Sequence, residues 1–361
     1  MTPGLRHIKS LDGVRGIAVL SVLAHHTLGT GIAAGKWPLL DRFVIQIASY
    51  GYLGVDLFFV LSGFLITTLL LLARRRPRYF STFYSKRAFR ILPPFLLVIG
   101  ALWAAHAISR EYALISLLFV ANFYFLLHVK ADGPFWSLAI EEQFYLVWPV
   151  LVRKLNIRSV RKLLLVIVVA VPIIRLVMAY GGHSIGYYTF TRCDGLAWGA
   201  LLATESRLHR FLERPKNGIQ WWLRGGVYLW IAGAVLLVGA VVVAQSALGG
   251  RWGTAAMLTA CPIFFASTIS FLITHRHSLA TKMFSTRIIC FFGDISYTFY
   301  LVHAYVMGYY TRYFGDVEPG SSWQLYGRML AVLAISTGIC VVSYYYFERP
   351  VMRLRKYFFA V

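Results

Sequence analysis

Leu11–His26 reads LDGVRGIAVLSVLAHH, a stretch with the apolar content of a membrane helix that nevertheless carries Arg15 and His26. The two lie eleven residues apart. At ~100° per residue that is three turns plus roughly 20°, so a continuous α-helix points both from one face, with a rise of ~16 Å between them. Charged or titratable groups inside a bilayer are costly and usually functional. One of these stands near a membrane surface and the other past the middle. A cleavable signal needs an uninterrupted apolar core, and Arg15 with the His25–His26 pair interrupts this one.

The rest of the chain has the same character. Hydrophobic residues make up 58% of its 361 residues and charged residues only 14%, where a soluble domain carries about a quarter charged. No hydrophilic stretch is long enough for a separate soluble domain, so residues 1–361 read as a single all-α, polytopic membrane domain. Apolar runs place about ten spans, near 12–31, 50–71, 91–109, 138–153, 161–180, 187–204, 225–245, 252–273, 288–313 and 324–347. The run 111–128 fits less easily. As a span it puts the Arg153–Lys162 loop, with its five basic residues, outside. Read as interfacial or re-entrant, it leaves 27 of the 36 Lys and Arg on cytoplasmic segments and seven on outer ones. Arg175 and Arg192 then fall inside spans. That distribution predicts ten spans with both termini cytoplasmic. The net charge of +22 is accordingly loop charge rather than a nucleic-acid surface. Cys193, Cys261, Cys290 and Cys340 lack metal spacing and read as core residues. There is no internal repeat of the kind that builds inverted-repeat transporters.

Titratable groups gather in the outer halves of these spans. His26 and Asp56 each lie roughly 6–8 Å outward of the midplane. An unpaired aspartate there is expensive, so Asp56 calls for a cationic or hydrogen-bonding partner. Glu141 and Glu142 begin the fourth span; Arg175, Arg192 and Asp194 lie in outer halves, and His303 is near the middle of its helix. Two readings stand: one water-accessible cavity open to the outside, or structural ion pairs between helices. On the cytoplasmic side Arg87 and Arg90, three residues apart, share the entrance to the third span. Guanidinium groups bind polyphosphates bidentately. A donor with an anionic head on Arg15, Arg87 and Arg90 and a thin arm of pantetheine length would bring its reactive end to His26.

Six strings, in order, resemble the acyltransferase-3 family of integral membrane acyltransferases, which act on glycans, lipids and some secondary metabolites. An R-x10-H motif falls on Arg15 and His26. GYLGVDLFFVLSGFLI (Gly51–Ile66) is similar to the second-span signature and carries Asp56. FYSKRAFRILPP (Phe83–Pro94) resembles the arginine-rich entry to the third helix. FWSLAIEEQFYLVWP (Phe135–Pro149), TRCDGLAWGALLA (Thr191–Ala203) and SYTFYLVH (Ser296–His303) follow, and ERP (Glu348–Pro350) closes the match. The chain ends about ten residues after ERP, so the resemblance is to a stand-alone form. Some members carry a fused esterase-like SGNH domain; any soluble helper here would then have to be a separate chain.

The resemblance implies transfer of an acyl group, most commonly acetyl, from acyl-CoA to a hydroxyl of an envelope glycan or glycolipid, with no permanently bound cofactor and no metal. It implies a multi-pass protein of the inner or plasma membrane, facing the lipid bilayer and not nucleic acid. His26 would act as general base, or as a nucleophile forming an acyl-histidine, and Asp56 would hold the imidazole tautomer. Arg15, Arg87 and Arg90 would bind the donor. Trp136, Glu142, Arg192, Asp194 and His303 are the candidates for acceptor contact. His25, ~100° round the helix, reads as a packing residue. The rival class is a transporter or flippase of a glycan-lipid, which needs intramembrane charges but no histidine one pantetheine length from a basic mouth. Cysteine-accessibility labelling tests the topology: positions near Arg74 and Arg210 should label from the cytoplasm and positions near Lys36 and Arg251 from outside. External labelling of the Arg153–Lys162 loop would instead make 111–128 a span.

Overall fold

The computed structural model describes residues 8–29, 37–124, 126–129, 133–205, 220–246, 250–318 and 320–358. The basic residues Arg6, Lys36, Lys130, Arg207, Arg210, Arg214 and Lys216 of the charge count lie outside them, as do the last two positions of the 12–31 span. The described residues form helices and turns and no strand. In chain order the helices are α1 (Lys9–Ala24), α2 (Leu39–Ser49), α3 (Gly54–Ala73), α4 (Tyr79–Ala104), α5 (Arg110–Leu117), α6 (Phe135–Lys154) and α7 (Ile157–Tyr180). After them come α8 (Thr189–Ala203), α9 (Gln220–Gln245), α10 (Arg251–Thr274), α11 (Leu279–Phe284), α12 (Arg287–Phe314), α13 (Ser322–Ser343) and α14 (Arg349–Phe358). π turns extend α1 over His25–Gly29 and α13 over Tyr344–Glu348.

Among the described residues, seven segments are long and apolar enough to cross a membrane: Leu39–Ala73, Tyr79–Ala104, Ile157–Tyr180, Val227–Gln245, Arg251–Thr274, Arg287–Phe314 and Ser322–Leu354. This is an all-α, polytopic membrane protein. The remaining predicted spans fall on α1, α6 and α8, the helices that carry Arg15, Glu142 and the Arg192–Asp194 pair. Large apolar side chains stand exposed along α7 (Leu165, Val166, Val169, Ile173, Val177) and α9 (Leu229, Val235, Leu236, Val238). Such surfaces are untenable in water and normal against lipid. The run 111–128 is broken. α5 has only eight residues, a rise of about 12 Å, far short of a bilayer core. The chain then turns through Phe119 at positive φ and a short 3₁₀ turn, Ala121–Phe123.

Local chemistry sets the helix ends. Ser109, Asn156 and Ser278 cap α5, α7 and α11, each side-chain oxygen accepting from the backbone N–H three residues on. Pro93 and Pro94 sit inside α4, and Pro262 inside α10. Membrane helices tolerate interior prolines because neighbouring groups re-satisfy the freed carbonyls.

The helices group into two units. The first comprises Met1–Val14, Asp56–Pro77 and Ser137–Cys290; the second comprises Arg15–Val55, Arg78–Trp136 and Phe291–Val361. In the first unit, α9 packs on α10, α10 on α7 and α8, and α7 on α8. There α3 and α8 cross with their backbones nearly touching. A Cβ on Gly63 would stand 2.0 Å from the Leu196 carbonyl oxygen, and one on Gly199 1.8 Å from that of Val60. Small residues permit such approach where hydrocarbon supplies no hydrophobic drive between helices. In the second unit, three side chains of α12 bond to neighbouring segments. Tyr297 donates to the Ile91 carbonyl at 3.1 Å, Tyr300 to that of Pro134 at 3.4 Å, and Thr298 to Glu348 Oε1 at 2.7 Å. Tyr112, Phe135, Phe95 and Phe119 stack in one aromatic cluster against α4 and α5.

Gly199→Leu should separate α3 from α8 at a cost of at least ~3 kcal/mol, read as loss of folded protein in a detergent thermal-stability assay. Wild-type stability would contradict the close crossing.

Candidate active site

The last turn of the first helix carries the histidines. α1 runs as a regular helix to Ala24 and then widens into the π turn His25–Gly29. The ~100° spacing that puts Arg15 and His26 on one stripe therefore holds only up to Ala24, and the wider turn resets the direction of His26. π turns inside helices are frequently functional. The turn is held from two sides within the second unit. His25 Nδ1 donates to the Ser49 carbonyl at the end of α2, at 2.9 Å, and its ring meets Tyr52 edge-on; this is a packing role. From α13, Arg328 donates through Nη2 to the Thr27 carbonyl. Leu28, Trp37, Ala48 and Leu325 close an apolar cluster beneath.

His26 itself meets His303 of α12, with ring centroids 5.0 Å apart. Carbonyl oxygens only accept, and that assigns both tautomers. His303 Nδ1 donates to the carbonyls of Phe299 at 3.1 Å and Tyr300 at 2.9 Å. Its Nε2 is then an acceptor. His26 Nδ1 donates to the Val22 carbonyl at 2.9 Å and lies 3.3 Å from His303 Nε2. The neutral His26 ring thus keeps its lone pair on Nε2, the atom a base or nucleophile uses.

The first unit holds a different arrangement. Arg175 on α7, wholly buried, forks onto Asp194 of α8, with Nη1 to Oδ1 at 2.9 Å and Nη2 to Oδ2 at 2.6 Å. The same guanidinium reaches the Thr191 carbonyl at 2.8 Å and Thr259 Oγ1 of α10 at 3.0 Å. Arg192, one turn-face away on α8, pairs with Asp56 of α3 at 3.1 Å and lies over the Phe59 ring. Two cations and two anions, all buried, tie α3, α7, α8 and α10 together. The partner that Asp56 required is Arg192, and its carboxylate is placed by that pair. For these four residues the geometry is that of interhelical ion pairs.

The remaining sequence candidates lie on α1, α4 and α6. Arg15 is half-buried on α1, Arg87 half-buried and Arg90 exposed on α4, and Trp136 and Glu142 half-buried on α6. Among the described residues, no three His, Cys, Asp or Glu side chains cluster for a metal. Three polar anchors went unread in the sequence. Asp41, buried on α2, accepts from Ser322 and from Tyr326 at 2.7 Å. Glu348 accepts from Thr298 and Ser343. Arg328 is buried within the last predicted span. The rule that singles out Arg175, an ionisable group inside a span, points equally to Arg328.

A family model described as an acyltransferase domain matches residues 8–347. The chain belongs to the acyltransferase-3 family of integral membrane acyltransferases. It is similar to the peptidoglycan O-acetyltransferase OatA of Listeria monocytogenes, with 28% identity over 384 residues, covering 96% of this chain and 56% of OatA. YrhL of Bacillus subtilis (strain 168) is likewise 28% identical over 386 residues, covering 96% of this chain and 55% of YrhL. The chain spans about half the length of these curated relatives. No solved structure matches.

Asp194→Asn should leave Arg175 buried without its charge and cost about 3–5 kcal/mol. Arg175→Met with Asp194→Leu should recover much of that loss, because an apolar pair carries no desolvation penalty. Thermal unfolding of the purified variants reads both; a double variant no more stable than the single would refute the ion-pair account.

Proposed function

We propose that this chain transfers an acyl group, acetyl above all, from acyl-CoA to a hydroxyl of a cell-envelope glycan, with peptidoglycan the leading acceptor. The family and the peptidoglycan acetyltransferase OatA among its relatives support the class of reaction. In this reading it sits in the plasma or inner membrane with ten crossings and both termini cytoplasmic. Arg15, Arg87 and Arg90 receive the donor's phosphates.

The observation that carries the reading is the commitment of His26 Nδ1 to the Val22 carbonyl and His303. It leaves Nε2 as the basic atom. His26 Nε2 takes the proton of the acceptor hydroxyl as that oxygen attacks the thioester carbonyl. The tetrahedral intermediate collapses, the C–S bond breaks, and the imidazolium returns its proton to the departing thiolate of CoA. While charged, His26 donates through Nδ1 to His303 Nε2 and the Val22 carbonyl, which stabilises the imidazolium. His303 is therefore assigned to holding His26 rather than to acceptor contact. Asp56, Arg192 and Asp194 are assigned to the ion-pair network, and Trp136 and Glu142 remain the proposed acceptor contacts. Acylation of Nε2 itself is the stepwise form of the same chemistry.

Purified protein given acetyl-CoA and muramyl glycan oligomers should release free CoA thiol and add one acetyl mass to the glycan. His26→Ala should lower turnover by roughly 10²–10⁴-fold while acetyl-CoA still binds, and His25→Ala should keep substantial activity. Arg87→Ala and Arg90→Ala should weaken acetyl-CoA binding by roughly 1.5–3 kcal/mol each. An active His26→Ala, or glycan translocation without CoA release, would overturn the reading.

A further inference from the structure

Arg328 is only 4% exposed, on a helix that crosses the membrane. Its hydrogen bond runs from Nη2 to the Thr27 carbonyl, and its Nε has no partner among the described residues. A guanidinium has five donors, so this is poor satisfaction for a buried cation. An apolar side chain of similar volume would fill the space without that desolvation cost. Stability alone does not account for an arginine here.

The carbonyl it holds explains the choice. Thr27 lies in the π turn that ends the first helix. The last carbonyls of a helix have no intrahelical donor, and they carry the negative end of its dipole. A cation is the natural cap, and α13 delivers it from across the unit. The α13 side is itself pinned, since Ser322 and Tyr326 donate to Asp41 of α2. The turn is pinned to α2 by the bond of His25 to Ser49. His26 lies between the two residues that these contacts immobilise, His25 before it and Thr27 after it.

We infer that Arg328 is a positioning residue for acyl transfer: it caps the helix end that carries His26 and so holds that imidazole against His303 with its basic nitrogen directed at the reacting groups. The inference rests on the reading of His26 as the base. A displacement of about 1 Å in a catalytic group can cost 10²-fold in rate.

The test compares turnover with acetyl-CoA binding in purified Arg328→Gln and Arg328→Lys, with His26→Ala alongside. Arg328→Gln should bind acetyl-CoA as the wild type does, with unchanged KM for it, and turn over about 10²-fold more slowly. Arg328→Lys keeps a charge and one donor but not the planar fork. It should fold, bind the donor normally, and turn over about tenfold below wild type and tenfold above the glutamine variant. Wild-type turnover in either variant overturns the inference, as does a lysine variant no better than glutamine. If Arg328→Gln does not fold, the lysine variant decides alone: lowered turnover with unchanged KM supports the inference, and wild-type turnover overturns it. An active His26→Ala would refute the catalytic reading itself. An inactive His26→Ala beside unaffected Arg328 variants would refute this inference only.

Discussion

Hydrocarbon does not solvate charge, and that constraint organises both units of this protein. A buried cation or anion without a partner costs several kcal/mol. The chain nevertheless places Arg175, Arg192, Asp56 and Asp194 inside its helices. It meets the cost by pairing them in two ion pairs of zero net charge. The Asp56–Arg192 pair spans α3 and α8, whose backbones approach closely at Gly63 and Gly199, and the Arg175–Asp194 pair spans α7 and α8.

In the second unit, buried polar groups also meet backbone carbonyls. Arg328 rests on the open end of a helix. His25, His26 and His303 each direct Nδ1 at backbone oxygens. Around the histidines the partners are backbone carbonyls and a second imidazole, which suits the proposed role of His26 as a group that gains and loses a proton. The His303 ring and the Val22 carbonyl fix the tautomer of His26.

Membership of the acyltransferase-3 family and this histidine pair together favour acyl transfer over translocation. A transporter must rearrange helices around its cargo. The π turn is instead fastened to α2 and α13 by hydrogen bonds and an apolar cluster, which is the rigidity that positioning for chemistry requires.

The sequence by itself determined the class: sustained apolar runs allow only a helical membrane protein, because hydrocarbon leaves backbone groups no partners outside a helix or a closed barrel. It also exposed His26, Asp56, Arg175, Arg192 and Asp194, since a charge in an apolar run is conspicuous without any structure. It showed that Asp56 needed a cationic or hydrogen-bonding partner but not which one. Partner choice depends on which helices lie side by side, and Asp56 and Arg192 are 136 positions apart. The pairing of His26 with His303 spans 277 positions and was equally out of reach. Helical periodicity could not foresee the π turn, because tertiary contacts from α2 and α13 reset the helix exactly where it ends. Only the tertiary structure decided which buried charges neutralise one another and which histidine meets His26, because both follow from contacts between helices distant along the chain.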